Sequence, residues 1–287
     1  RNSTQLTQSM DDNGGDGDDG DSMDGRASKK KRLNKFGDGN DAFDQSIPLK
    51  DDEHWSFYWL VEQLRLDLFD PKWEIRHGAA IGLREIFTNH APSAGKSTKC
   101  TNANSLYLAN QKYLEDMCLC VLSIFILDQF TDFVSDPAVS PVRETSAQIL
   151  AVILRHASND TVKKIVQCLI LLVGSERWQV RHGGLLGLKY TIAIRLADID
   201  ELLPIVLPAV ISAIDDSSDD VRSVAVEALV PVAEHIVRLA PKELEHINEK
   251  LWTILLDLDD LSSATASVMK LLAKFYALVG QHYSSGY

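Results

Sequence analysis

Trp73-Glu74-Ile75-Arg76-His77-Gly78, followed by Gly82-Leu83, recurs 105 positions later as Trp178-Gln179-Val180-Arg181-His182-Gly183, followed by Gly187-Leu188. A phrase that opens an apolar helical pattern twice in one chain marks a structural unit used repeatedly. Such units stack, because none can bury its apolar face alone. Function is therefore expected on a surface rather than in a deep pocket.

Working outward from the two phrases, helical periodicity runs from His54 onward without a convincing strand. In one segment Val221, Val224, Ala225, Ala228, Leu229 and Val232 fall at i, i+3, i+4, i+7, i+8 and i+11, which is one buried helix face. Helix starts are marked by Asp70-Pro71, Ser140-Pro141, Ser175 and Asp219-Asp220, residues suited to capping or to the first turn. Aligning the starts puts arginine in register at Arg76, Arg143, Arg181 and Arg222, with Thr265 in the corresponding place of a degenerate fifth copy. The last three intervals are 38, 41 and 43 residues, and units of about 40 residues with two helices each are the HEAT or armadillo pattern.

The fold predicted is all-α: a HEAT/armadillo-like α-solenoid of about five helix pairs. The pairs are 54–69 with 71–89, about 107–133 with 140–156, 160–173 with 176–195, 200–214 with 219–239, and 242–257 with 261–282. The interval of 67 from Arg76 to Arg143 requires an insertion, placed in the irregular Ser/Thr/Asn-rich loop near 91–105. The solenoid thus occupies 54–287. Residues 1–53 are rich in Asp, Gly, Ser and Asn, too polar to offset the entropy of folding, and are expected to be a disordered acidic and basic linker.

Charge and composition narrow the function. The net charge of -12 includes a share of -5 from residues 1–53, with 13 acidic and 8 basic residues, so the solenoid is acidic and carries no broad basic nucleic-acid footprint. Cys118 to Leu127 is the longest apolar run, far short of the roughly 20 residues needed to span a bilayer. No signal peptide is evident, and Cys100, Cys118, Cys120 and Cys168 have no disulfide-framework spacing, which fits a reducing compartment. Arg1 at the start and the polar tail ending in Tyr287 are read as the bounds of an excised fragment. Within the linker, seven aspartates between Asp11 and Asp24 precede Lys29-Lys30-Lys31-Arg32, a run of the nuclear-import type, and nuclear localisation is expected.

The repeated residues divide into scaffold and contact roles. Arginines in register are expected to pair with acidic residues of the adjacent repeat. Gly78, Gly82, Gly183 and Gly187 each cost a helix about 1 kcal/mol relative to alanine, so close approach of a neighbouring helix is expected to offset that cost. His77 and His182 lack companions at metal-ligand spacing and are read as packed helix histidines, so no metal is expected. Gly95-Lys96-Ser97-Thr98 ends like a phosphate-binding loop, but His90 stands where the required first glycine would be. No nucleotide, other cofactor or small-molecule substrate is expected, and no catalytic constellation occurs.

Candidates for partner contact lie in the turns that enter each second helix: Asp70, Lys72, Trp73, Asp136, Arg177, Trp178, Asp216, Asp219 and Asp220. Trp and Arg are the residues most enriched in binding hot spots, and these turns define one edge of the stack.

The stretch from Asp67 to Ile86, reading Asp-Leu-Phe-Asp-Pro-Lys-Trp-Glu-Ile-Arg-His-Gly-Ala-Ala-Ile-Gly-Leu-Arg-Glu-Ile, resembles the N-terminal HEAT region of the TATA-binding-protein-associated Swi/Snf-type ATPases, the modifier of transcription family. Glu176 to Tyr190 is similar to another repeat of that family. The two stretches span about an eighth of the chain, and the wording is more specific than a general HEAT pattern. The resemblance implies a scaffold that grips the TATA-binding protein through turns on its edge, within a regulator that removes this protein from promoter DNA. It also implies a separate C-terminal ATPase motor, absent from this chain, so this segment is expected not to be an enzyme and to meet DNA only indirectly. The alternative is a nuclear transport-type or other acidic helical-repeat scaffold, whose members need many more repeats and lack the repeated phrase.

Overall fold

A computed structural model describes residues 53–128, 141–256 and 263–284. The expected linker over most of 1–53, including Lys29 to Arg32, lies outside the described residues, as does Asp136. Among the described residues there are helices and turns and no strand. The described residues form an all-α solenoid, as their periodicity predicts.

The helices are α1 (Tyr58–Asp67), α2 (Trp73–His90), α3 (Ala103–Leu127), α4 (Pro141–Leu154), α5 (Asn159–Val173), α6 (Trp178–Ile194), α7 (Ile199–Ala213), α8 (Asp219–Leu229), α9 (Ala233–Leu239), α10 (Pro241–Leu256) and α11 (Ser263–Ser284). Within a repeat, α1 packs on α2, α3 on α4, α5 on α6, α7 on α8 and α10 on α11. Between repeats the second helices form a continuous layer, α2 on α4, α4 on α6, α6 on α8 and α8 on α11. The first helices α3, α5 and α7 also pack on one another in order. One hydrophobic core follows from this stacking, running from Trp55 to Phe275. The central helix α6 has neighbours on every side, and all of His182 to Leu188 is buried.

Two expectations change. The second helix of the fourth pair is not continuous over 219–239 but breaks between α8 and α9. Pro231 has no amide to donate and its ring crowds the preceding turn, so the chain closes tighter turns there, Val230 N to Glu227 O and Val232 N to Leu229 O. The insertion near 91–105 is shorter and more structured than predicted. It holds a 3-10 turn at Ala91–Ser93. The buried Asn110 side chain ties the segment down by donating to Ala91 O and Ala94 O, both at 2.8 Å. Helix α3 then starts at Ala103, where Asn102 caps it by accepting from Ser105 N at 3.1 Å.

Candidate functional site

The second helices α2 and α6 begin with the same electrostatic device. In α2, Arg76 Nη1 donates to Asp70 O and Pro71 O, both at 2.9 Å, closing the turn that precedes its own helix. Its Nη2 reaches Asp128 at the end of the next first helix, at 3.0 Å. In α6, Arg181 Nη1 donates to Ser175 O at 3.1 Å and Glu176 O at 2.8 Å, while Nε and Nη2 clamp Asp216 of the next repeat at 2.6 and 2.8 Å. Asp128 accepts from a second arginine too, Arg143 Nε at 3.1 Å. Arg143 also donates to Gln179 O, and in α8 Arg222 binds Asp216 O at 2.7 Å and pairs with Asp219.

These links form the expected inter-repeat ladder, and they are mostly sheltered from water. The Arg143 side chain is fully buried and its pKa is pushed down to about 10 by that burial, against the opposing pull of Asp128. Burial also works against ionisation of Asp216, yet the Arg181 hydrogen bonds and the Ser218 amide hold its carboxyl below the usual range. His182 lies behind the ladder in the core; burial, with Arg143 and Lys189 nearby, depresses its pKa to about 3. A neutral, packed histidine is the result.

A second polar row crosses the layer of second helices further along. Arg84 of α2 donates to Gln148 of α4 at 2.6 Å, and Gln148 donates to Tyr190 of α6 at 3.3 Å, whose hydroxyl bonds Glu144. Lys189 joins Glu227 of α8 at 2.8 Å, and Ser267 of α11 donates to the same carboxylate at 3.1 Å. The sequence reading missed this row. Its signal was polar residues at matching offsets: Arg84 and Lys189 stand eight after Arg76 and Arg181, while Gln148 and Glu227 stand five after Arg143 and Arg222.

The turn residues singled out as contacts fall into two groups. Asp216 is held in the ladder, with its side chain 8% exposed, and Asp219 pairs with Arg222. The Asp70 carboxylate accepts from Lys72 N at 2.7 Å, and Asp220 is half-buried with its pKa raised by that burial. Lys72 and Arg177 are exposed N-caps of α2 and α6, each directly before a tryptophan, and Arg177 Nη2 donates to Ile126 O of α3 at 3.3 Å. Trp73 and Trp178 are half-buried against the core, and the Trp73 ring stacks along His77. A cation beside a partly covered indole therefore occurs twice along one edge, at Lys72-Trp73 and Arg177-Trp178.

Neither a metal nor a phosphate finds a built cradle among the described residues. No group of three or more His, Cys, Asp or Glu side chains converges there. Gly95, which begins the phosphate-loop-like sequence, has φ 71°, and a Cβ at this position would stand 2.4 Å from the Tyr113 Cβ. Glycine is needed for turn geometry and close packing. The following Lys96 to Asn102 is irregular apart from a turn at Thr98 and Lys99, and a helix starts only at Ala103, so none opens on this sequence as in a phosphate loop.

Residues 179–274 match the family model described as the Vacuolar 14 Fab1-binding region, a third of the chain. Two designed armadillo repeat proteins align at 16% and 15% identity, covering 78% and 75% of this chain and 87% and 99% of theirs, with TM-scores of 0.39 and 0.37. Human TATA-binding protein-associated factor 172 is 42% identical over 263 residues, which is 88% of this chain and 14% of that protein. The Saccharomyces cerevisiae factor MOT1 is 38% identical over 77% of the chain and 12% of its own length, and Arabidopsis thaliana BTAF1 is 40% identical over 61% and 9%. The chain thus spans about a seventh or less of the length of these relatives. With 36 to 42% identity running through most of its helical repeats, the chain belongs to the family of TATA-binding protein-associated factors.

Proposed function

We propose that this chain is a recognition scaffold for the TATA-binding protein and acts within a nuclear transcription regulator that removes this protein from promoter DNA. The observation that carries the reading is the repeated exposed edge, Lys72-Trp73 and Arg177-Trp178, on a scaffold from a family named for association with the TATA-binding protein. Each edge offers a cation and a large apolar ring already held by core packing, so little side-chain entropy is lost on contact. Asp70, at the turn into α2, and Asp219 and Asp220, at the start of α8, supply a further acidic fringe that Asp136 is proposed to join, and Asp216 positions the fringe through Arg181 and Ser218.

ATP hydrolysis is assigned to parts of the longer relatives outside this segment, and DNA is met through the captured partner. The seven aspartates from Asp11 to Asp24 would compete with DNA phosphates for the basic, apolar DNA-binding face of the partner, at the effective concentration a tether provides. Lys29 to Arg32 would direct nuclear import.

The test is size-exclusion chromatography of the chain with purified TATA-binding protein, with and without TATA DNA. A co-eluting complex is expected, weakened by Lys72→Glu with Arg177→Glu. Absence of a complex would sink the reading while leaving the solenoid intact. Neutralising the aspartates from Asp11 to Asp24 should preserve the complex while weakening competition with DNA; unchanged competition would reduce the tract to a linker.

A further inference from the structure

Residues 86–114 contain no aspartate or glutamate, although acidic residues make up 41 of the 287 in the chain, one in seven. The same stretch holds His90, Lys96, Lys99 and Lys112. It spans the connection between α2 and α3, which takes 12 residues, 91–102, where the connection between α6 and α7 takes four, 195–198. A long, locally basic connection on an acidic scaffold has the makings of a loop-borne site.

Together with the segment that precedes α1, the extra length walls a cavity of about 530 Å³. Trp55, Phe57, His90 and Leu106 form its apolar side, and Lys96 with the Ser93 and Ser97 hydroxyls forms its polar side. These walls are held by packing of their own. The Phe57 and His90 rings lie 4.5 Å apart, while Trp55, only 6% exposed, packs 5.8 Å from Phe57 and edge-on to Tyr113 at 5.9 Å. Lys99 pairs with Glu53, joining the loop to the segment before α1, and Asn110 anchors the start of the loop at Ala91 and Ala94.

The chemistry of the cavity is one-sided. None of its lining residues is acidic, and among the described residues no carboxylate pairs with Lys96. An ammonium beside aromatic rings and hydroxyl donors is complementary to an anion carried next to a bulky apolar group. The volume falls within the roughly 300–1,000 Å³ of ligand-binding clefts and admits both parts.

We propose that this cavity docks a short acidic peptide segment of a partner protein, one in which phenylalanine or leucine stands beside aspartate or glutamate. The apolar side chain enters against Phe57, His90 and Leu106, and the neighbouring carboxylate takes charge-assisted hydrogen bonds from Lys96 and the serine hydroxyls. Acidic disordered segments with interspersed apolar residues have this composition. Single-stranded nucleic acid could stack on the same rings, but one lining lysine neutralises few phosphates, and residues 54–287 carry 28 acidic against 21 basic residues. The site is separate from the Lys72-Trp73 edge, because His90 ends α2 about 25 Å along the helix from Trp73.

The test is fluorescence anisotropy of the 287-residue chain with a labelled synthetic peptide, Asp-Asp-Phe-Asp-Asp-Leu. Saturable binding is expected, weakened at least about 10-fold by Lys96→Glu and by alanine in place of the peptide's phenylalanine. Lys242→Glu, an equal charge change in the last helix pair, should leave binding unchanged, and so should Lys72→Glu with Arg177→Glu. Because the titration contains no TATA-binding protein, its outcome is independent of the scaffold role proposed above. Absence of saturable binding overturns the proposal, as does equal weakening by Lys96→Glu and Lys242→Glu, or weakening by the Lys72 and Arg177 changes. Equal binding of the peptide without phenylalanine would reduce the contact to charge alone and overturn it. Tighter binding of a labelled oligothymidylate than of the peptide would identify a nucleic-acid contact, with the same consequence.

Discussion

Helices α2 and α6 open with one phrase, yet α6 buries His182, Gly183 and Leu186, while His77 is half-buried and Gly78 and Ile81 are exposed. The phrase therefore specifies a unit with two packing sides, and burial depends on what lies beyond it. Arginine makes the point most clearly: Arg76 and Arg181 close their own turns through two carbonyls and reach forward to Asp128 and Asp216. Each repeat is thus finished by the next, the nearest-neighbour logic of a solenoid.

The comparison can be broken most severely at the shared acceptor. Asp128 serves two arginines, one fully buried, so Asp128→Ala should leave an uncompensated interior charge and cost about 3–5 kcal/mol in denaturant unfolding. Asp216→Ala should be milder, because the Arg181 side chain keeps 17% exposure and can rehydrate. Equal losses would contradict the assignment of Asp128 as the central link.

Alanine substitution should give opposite signs at the paired glycines. Gly183→Ala drives a methyl into Phe125, an overpacking loss of about 1–3 kcal/mol. Gly78→Ala meets open space and should stabilise the 287-residue chain by up to about 1 kcal/mol through helix propensity. Thermal unfolding of the two variants checks both. The same sign at both positions would refute the difference in packing.

His182 adds a pH dependence. Its folded pKa of about 3 is below the ordinary histidine value, so its contribution is fully present above pH 6.5. As pH falls from 6.5 toward 3 the unfolded chain takes up a proton that the folded core refuses, and stability declines. His182→Gln should flatten that part of the stability profile measured in urea. An unchanged slope would remove His182 from the account.

Much of the fold was legible because arginine, glycine and apolar periodicity act locally within each unit. The break at Pro231 was also written in the sequence, inside a helix predicted to run through it, and strong apolar periodicity on both sides obscured it. Asp128 was not legible. It lies 15 residues before Arg143 and 52 after Arg76, where the insertion removes the regular offset that marks Asp216. The unlike environments of Gly78 and Gly183 could not be read from two near-identical local phrases, since the deciding atom group, Phe125, belongs to another repeat. Among the candidate contacts, sequence located the turns, but side-chain geometry was needed to separate the ladder carboxylate Asp216 from the exposed cations Lys72 and Arg177.

The central functional claim is that the repeated edges recognise the TATA-binding protein while the rest of the phrase holds the scaffold. Isothermal titration of the chain with the TATA-binding protein, alongside the Lys72→Glu/Arg177→Glu double variant, tests it most directly. Saturable binding, weakened at least about 10-fold in the variant with unfolding free energy unchanged, is the predicted result, each ten-fold corresponding to about 1.4 kcal/mol. No binding by the parent chain, or equal binding by both proteins, would contradict it.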